Sequence, residues 1–190
     1  MNQDWAKGRE RALERLFDHA SRGLLDSDIQ DFLLEFNRTM KCAYTTSSCS
    51  GRVAILWGPS IFDKRRAEIV VAYHDPRACK ENLCQKLAEA SRQAGGQTVW
   101  VSLQPPILHL VTLTQEQAEQ AARCGDRAGF SRACYRAYRS GGYHVELAVQ
   151  DKLTLIGAEC ESMLEACRVL ERYKERLSRL QQCLLESLEC

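Results

Sequence analysis

Apolar side chains return every third or fourth position across residues 4–21, where Leu13, Leu16, Phe17 and Ala20 recur among charged neighbours, which predicts an amphipathic helix. Gly23 ends it. A second stripe, Ile29, Phe32, Leu33 and Phe36, predicts a helix over 28–40, capped by Asp26 or Ser27, and Ser27 with Gln30 has capping-box spacing. After Lys41 the pattern changes. TTSSCSGR at 45–52 reads as a polar turn that delivers the chain into a β-rich run over 53–57, closed by Gly58 and Pro59. A strand over 68–73 runs into His74-Asp75-Pro76, and a helix over 76–94 stops at Gly95-Gly96. Strands over 98–103 and 107–113 flank Pro105-Pro106, a pair that a central ladder would not tolerate.

Thr114 to Cys124 reads as a helix with Thr114 as cap and Gln117 at capping-box spacing. Strand-like runs over 129–138, 143–149 and 153–156 follow, separated by Gly141-Gly142 and by residues 150–152. The chain finishes with one long helix over 161–189, in which Leu170, Leu177 and Leu184 recur every seven residues, with Tyr173 and Leu180 in a second series. That stripe is expected to pack on the chain's own sheet; a coiled coil is the alternative, although two heptads make a short seam. Strand, strand, helix, strand, strand, followed by another helix and three strands, is the order a duplicated α+β unit would produce.

With 190 residues the chain can bury a sizeable core without staples. Its 26 basic and 25 acidic residues give a net charge of +1, so a nucleic-acid partner must be gripped by a local patch rather than by bulk charge. The opening residues form no apolar leader and no run approaches a membrane span, so the cytoplasm is the expected compartment, with no membrane partner. The ten cysteines include no CxxC pair, which leaves zinc ribbons and iron-sulfur clusters without support. They read as small buried apolar residues, with disulfides as the alternative in a hyperthermophile. Cys160 and Cys167 lie too far apart along one helix to pair with each other.

The densest chemical signal is Thr45 to Arg52. Ser47, Ser48, Cys49, Ser50 and Gly51 offer hydroxyls, a thiol and backbone N–H groups, and Arg52 is a bidentate clamp for a carboxylate or phosphate. A plain polar loop before a strand is the alternative. His74 stands at a strand end, and His109 alternates with apolar neighbours in PPILHLVTL, as either a core histidine or a groove residue. Arg127, Arg132, Arg136 and Arg139 surround Gly129-Phe130, Tyr135 and Tyr138, a mixture suited to phosphate contact and base stacking, and equally to a solvated strand face. No GxGxxG follows a first strand, and GxxxxGK[ST] and HExxH are absent, which leaves a nicotinamide Rossmann domain, a P-loop NTPase and a zincin without support.

TTSSCSGR at 45–52, PPILHL at 105–110, AGFSRACY at 128–135 and VELAVQDKLTLIG at 145–157 resemble, in order, the motifs of the wybutosine-synthesising tRNA methyltransferase family, and LLDSDIQDFLLEFN at 24–37 resembles its opening segment of aspartate, helix and asparagine. The resemblance implies an S-adenosylmethionine-dependent enzyme that methylates N4 of the 4-demethylwyosine-type, aminocarboxypropyl-bearing guanosine derivative in the anticodon loop of phenylalanine tRNA. It implies an α+β fold built as a duplicated unit with a barrel-like mixed sheet, packed helices and a long C-terminal helix, unlike a Rossmann-like methyltransferase. One methyltransferase domain over 1–190 follows, with a helical opening (1–41), a duplicated core (42–160) and the terminal helix (161–190).

Carried over, Ser47, Ser48, Cys49, Ser50, Gly51 and Arg52 line the cofactor and substrate cleft, joined by His74 and His109 and, from the second half, Gly129, Phe130 and Arg132. His109, ahead of His74, is the expected acceptor of the proton that the nitrogen sheds; Arg52 is expected on a carboxylate and Arg132 on an RNA phosphate. The sequence departs from the family pattern at Gln104, where an acidic residue is usual, and at Ala133 and Cys134, where serine and glycine are usual. No metal is expected, since the four histidines show no ligand spacing, and no obligate protein partner is implied. The competing readings are a non-catalytic RNA-binding module and a scaffold working through its terminal helix.

Overall fold

The computed structural model describes residues 3–63, 65–138, 141–157, 159–188 and 190; Arg139 and the expected last helical residue, Glu189, lie outside them. The elements are α1 (Gln3–Ser21), α2 (Ser27–Thr39), β1 (Ala43–Cys49), β2 (Arg52–Gly58), β3 (Glu68–Tyr73), α3 (Pro76–Gln93), β4 (Thr98–Gln104), β5 (Ile107–Thr112), α4 (Gln115–Ala128), β6 (Arg132–Ala137), β7 (Tyr143–Ala148), β8 (Leu153–Ile156) and α5 (Cys160–Ser187). They form two compact units, Met1–Ser50 with Pro106–Gln150 and Glu175–Cys190, and Gly51–Pro105 with Asp151–Lys174.

The first unit carries an antiparallel sheet in the order β1-β5-β7-β6. Trp5, Ala12 and Leu16 form the buried stripe of α1, and Trp5 and Ala12 pack with Tyr44 of β1 and Val111 of β5. Phe17 falls one position off that stripe and is 56% exposed, contrary to the sequence expectation. The stripe of α2 is buried as expected, with Asn37 added to it. Asp26 is the N-cap of α2 without a side-chain cap; its Oδ2 instead accepts from the Ser50 N–H at 2.8 Å. α4 has the complete capping box of Thr114 and Gln117, and ends at Gly129, whose φ of 82° is the left-handed conformation that glycine adopts without a Cβ penalty. It packs closely on the sheet, because a Cβ at Gly125 would lie 2.8 Å from Leu147 and 3.0 Å from Ala133.

The second unit carries the antiparallel sheet β3-β2-β4-β8. Val53, Ala54, Ile55, Val101 and Leu103 are among its fully or nearly fully buried strand residues, and α3 contributes Cys79, Leu83 and Ala90. Asp75 caps α3 by accepting from the N–H groups of Arg77 and Ala78, with Pro76 at the first helical position.

The expectation of a barrel-like mixed sheet is overturned. Among the described residues every strand pair is antiparallel, and each sheet is open, ending on edge strands β1 and β6 or β3 and β8. Closure would require the edges to pair. Gly51, at φ 84°, and Pro105-Pro106 are instead the points where the chain leaves one sheet for the other. Both units run strand, strand, helix, strand, strand, yet the second strand is interior in the first unit and the first strand is interior in the second, so they do not repeat one topology. The Thr45–Cys49 stretch, read as a turn, is strand. Hydroxyl and thiol side chains on alternate positions can face solvent while the backbone joins the ladder with β5.

Eight cysteines form Cys42–Cys190, Cys79–Cys167, Cys84–Cys160 and Cys124–Cys183, with Cα separations of 5.2–5.7 Å. Each bridge uses one cysteine of α5 or the chain end just beyond it. The pairing of Cys79 with Cys167 and Cys84 with Cys160 sets α5 antiparallel to α3. Leu170, Tyr173, Leu177, Leu180 and Leu184 are all buried within the chain, so the heptad stripe packs internally. Among the described residues, no helix is long and apolar enough to cross a membrane.

Candidate active site

Strand pairing places every second residue of four strands on one face of the β1-β5-β7-β6 sheet. One row across it is Ser47, His109, Glu146 and Cys134; the next is Cys49, Ile107, Ala148 and Arg132. The row is joined by side-chain bonds. Ser47 Oγ lies 2.8 Å from His109 Nδ1, and Arg132 Nε pairs with Glu146 Oε1 at 3.1 Å. His144, one row further, meets His109 edge-on with ring centroids 5.1 Å apart, and Tyr138 lies 5.6 Å from His144 on its other side.

Both imidazoles are held below the ordinary histidine value. Burial is the main cause for His109, with Arg132 and Arg136 acting in the same direction and Glu146 opposing them. For His144, burial comes first, then His109 and Arg136, again against Glu146. The two rings are therefore neutral near pH 7, and His109 Nε2 is buried with no hydrogen-bond partner among the described residues.

The geometry of β1 is what aims Ser47 at this row. The register with β5 shifts between Thr45 and Ser47, a bulge that turns the strand locally. Asn37 holds the bulge. Its Nδ2 donates to Leu33 O and to Thr45 Oγ1, both at 2.7 Å, and its Oδ1 accepts from Thr45 N–H at 3.0 Å. Asp26 fixes the far end of the segment through Ser50. The aspartate and asparagine of the opening segment are thus positioning residues for β1. Beside them lies a cavity of about 280 Å³ lined by Arg15, His19, Asp26, Thr46, Ser47 and Ser48 among others.

Of the residues named from sequence, Ser47, Cys49, His109 and Arg132 share the polar face, and Ser48 falls on the opposite one by strand alternation. Ser50 is buried. Gly129 caps α4 against the Arg176 side chain, and Phe130 is 2% exposed, so neither offers a polar group to that face. Gly51, Arg52 and His74 belong to the second unit. There Arg52 Nε donates to Gln104 Oε1 at 2.7 Å, so the neutral amide at the departure site is the arginine's direct partner. His74 follows β3 and immediately precedes the Asp75 cap.

Sequence reasoning missed Glu146 and the role of His144. Their signal was the period-two placement of polar residues at 144 and 146 within an apolar strand. It also grouped Tyr135 with Tyr138, which the structure separates: Tyr135 points to α4, where its hydroxyl donates to Glu119 at 3.0 Å.

Residues 7–188 match the family described as Methyltransferase TYW3. The tRNA(Phe) 7-((3-amino-3-carboxypropyl)-4-demethylwyosine(37)-N(4))-methyltransferase 2 of Pyrococcus horikoshii is 34% identical over 185 residues, which cover 92% of this chain and 86% of that protein. The enzyme of the same name from Pyrococcus furiosus is 33% identical over 187 residues, covering 93% and 87%. The solved structure of the PH1069 protein from Pyrococcus horikoshii matches with a TM-score of 0.84 at 24% identity, over 96% of this chain and 97% of that one, and supports the fold alone.

Proposed function

The chain belongs to the TYW3 methyltransferase family, and from that membership we propose that it methylates N4 of the 4-demethylwyosine-type, aminocarboxypropyl-bearing guanosine derivative at position 37 of phenylalanine tRNA, using S-adenosylmethionine. The tRNA anticodon loop is its macromolecular partner. S-adenosylmethionine, when bound, supplies an electrophilic methyl group on a sulfonium. The chain's own residues must bind, orient and manage the proton that the acceptor nitrogen loses.

The donor set suits such a molecule. Asp26, Arg15 and the hydroxyl-bearing residues Thr46, Ser47 and Ser48 line the 280 Å³ cavity, residue types that suit an ammonium, a carboxylate and ribose hydroxyls respectively. Within the second unit, Arg52 donates through Nε to Gln104 Oε1, and its guanidinium is a group suited to a carboxylate.

The observation that carries the reading is the Ser47–His109 contact within a row completed by Glu146 and Arg132. Ser47 is exposed and His109 is half-buried, so the serine hydroxyl is the member that can reach a bound base. With the imidazole in its Nε2–H tautomer the hydroxyl donates to His109 Nδ1, and a proton taken up at Ser47 passes to that nitrogen. Glu146 then offsets the imidazolium charge, and burial keeps the imidazole neutral and ready beforehand. Arg132, half-exposed beside Glu146, is placed for an RNA phosphate. Because the target sits in a loop, it can be splayed out without opening a duplex.

The test incubates the protein with S-adenosylmethionine and tRNA bearing the demethylated tricyclic base, then weighs the nucleoside. A gain of one methyl group at position 37 is expected. An unchanged mass on competent tRNA sinks the reading and leaves the RNA-binding module in its place.

A further inference from the structure

Three aromatic rings run along the polar face of the first unit. His109, His144 and Tyr138 follow one another with centroid separations of 5.1 and 5.6 Å, from the half-buried middle of the sheet to its open edge. Tyr138 ends the series 39% exposed, one residue beyond edge strand β6. Its backbone is fixed by reciprocal turn bonds, since its N–H donates to Gly142 O and its carbonyl accepts from Gly141 N–H. Arg136, two residues back on the same face, is exposed and has no hydrogen-bond or ion-pair partner among the described residues.

An exposed flat ring, held in place and backed by a second ring, exposes a π-face at the sheet edge. We propose that Tyr138, backed by His144, is the stacking platform for the tricyclic base of the substrate RNA, and that Arg136 takes the phosphate beside it. This rests on the methylation assigned above and extends it to the residues that seat the base.

Charge decides between the two flat rings that visit such an enzyme. The exposed Arg136 guanidinium attracts an RNA phosphate and disfavours the sulfonium cation that accompanies the adenine of the cofactor. His144 is kept uncharged by burial, by His109 and by Arg136, so it adds a neutral ring behind Tyr138 rather than a second cation. His144, the ring behind Tyr138, lies one row from His109, and Tyr138 lies one row further, at the β6 edge of the sheet, so the ring series leads from the platform to the proton-accepting row. Arg132, neutralised by Glu146, would contribute less to phosphate attraction than Arg136.

The test uses an anticodon stem-loop carrying the demethylated tricyclic base and one carrying guanosine at the same position. In Tyr138→Trp, tryptophan emission should quench on adding the tricyclic stem-loop and quench less with the guanosine one. Tyr138→Leu should raise KM for the RNA roughly 5- to 100-fold while kcat stays within about threefold, and Tyr138→Phe should restore the wild-type KM. Arg136→Gln should flatten the salt dependence of RNA affinity by about one charge. A partly exposed tyrosine beyond a strand end can be replaced without unfolding, which far-UV circular dichroism of Tyr138→Leu verifies. Unchanged KM in Tyr138→Leu, with wild-type turnover present, overturns the platform. So does quenching by S-adenosylmethionine alone without quenching by RNA. A wild-type protein that leaves the tricyclic RNA unmethylated overturns the assigned reaction instead.

Discussion

On one face of the β1-β5-β7-β6 sheet, Leu108, Leu110, Val145 and Leu147 are fully buried on the side that α4 covers, with Leu147 and Ala133 in close approach to Gly125. On the other face, one residue along each strand, the row of Ser47, His109 and Glu146 and the adjacent Arg132 form a polar strip that stays accessible at Ser47 and Arg132, beside Tyr44 and Val111, which α1 covers through Trp5 and Ala12. The same backbone therefore serves as a packing surface and as a chemical one. Period-two alternation keeps the α4-covered residues apart from the polar strip, so a change under α4 should move stability and leave chemistry, and a change within the strip should do the reverse.

The largest expected loss comes from untying the helix that covers the apolar face. Replacing both Cys124 and Cys183 by serine removes the bridge from α4 to α5 and should cost about 2–5 kcal/mol of unfolding free energy, read from denaturant midpoints under non-reducing conditions. Leu147→Ala empties part of the same face and should cost about 2–5 kcal/mol, with turnover per folded molecule retained. Gly125→Ala should cost about 1–2 kcal/mol, because overpacking against Leu147 and Ala133 outweighs the gain in helix propensity. If either α4-face variant lost turnover while fully folded, the separation of tasks would fail.

The smallest expected effect is a shift on the pH axis. Neutral His109 is the working form and its pKa is depressed, so the acid limb of the rate profile should lie below the ordinary histidine value of about 6.5. Glu146 raises that pKa, so Glu146→Gln should move the limb to still lower pH, whereas Arg136→Gln should move it up, with little change in midpoint stability at neutral pH. The linked stability effect has a fixed sign. A depressed imidazole pKa means the unfolded chain binds the proton first, so this stabilisation is present above the unfolded value and declines as pH falls through the window down to the folded pKa.

Much of this was legible in the chain. The stripe Ile29, Phe32, Leu33 and Phe36 gave α2, Thr114 with Gln117 gave the start of α4, and Pro105-Pro106 marked the passage between sheets. What failed did so for identifiable reasons. Residues 45–49 looked like a turn because their side chains are polar, yet an edge strand tolerates hydroxyls on alternate positions. The barrel expectation came with the family resemblance, and no local pattern reveals whether edge strands find each other. Cysteine pairing depends on which helices pack together, so Cys79 and Cys167 could not be matched from spacing. Within the candidate site, His109 and Arg132 stand out in the chain as residue types, while Glu146 does not, because only the register across β5, β7 and β6 brings it beside them.

The most direct test is the single-turnover rate of methyl transfer by His109→Ala on tRNA bearing the tricyclic base, with tRNA and S-adenosylmethionine saturating. A rate roughly 10²- to 10⁴-fold below wild type, with RNA affinity and unfolding midpoint nearly unchanged, is expected of a neutral base acting through Ser47. A rate equal to wild type would show that the polar row does not manage the proton.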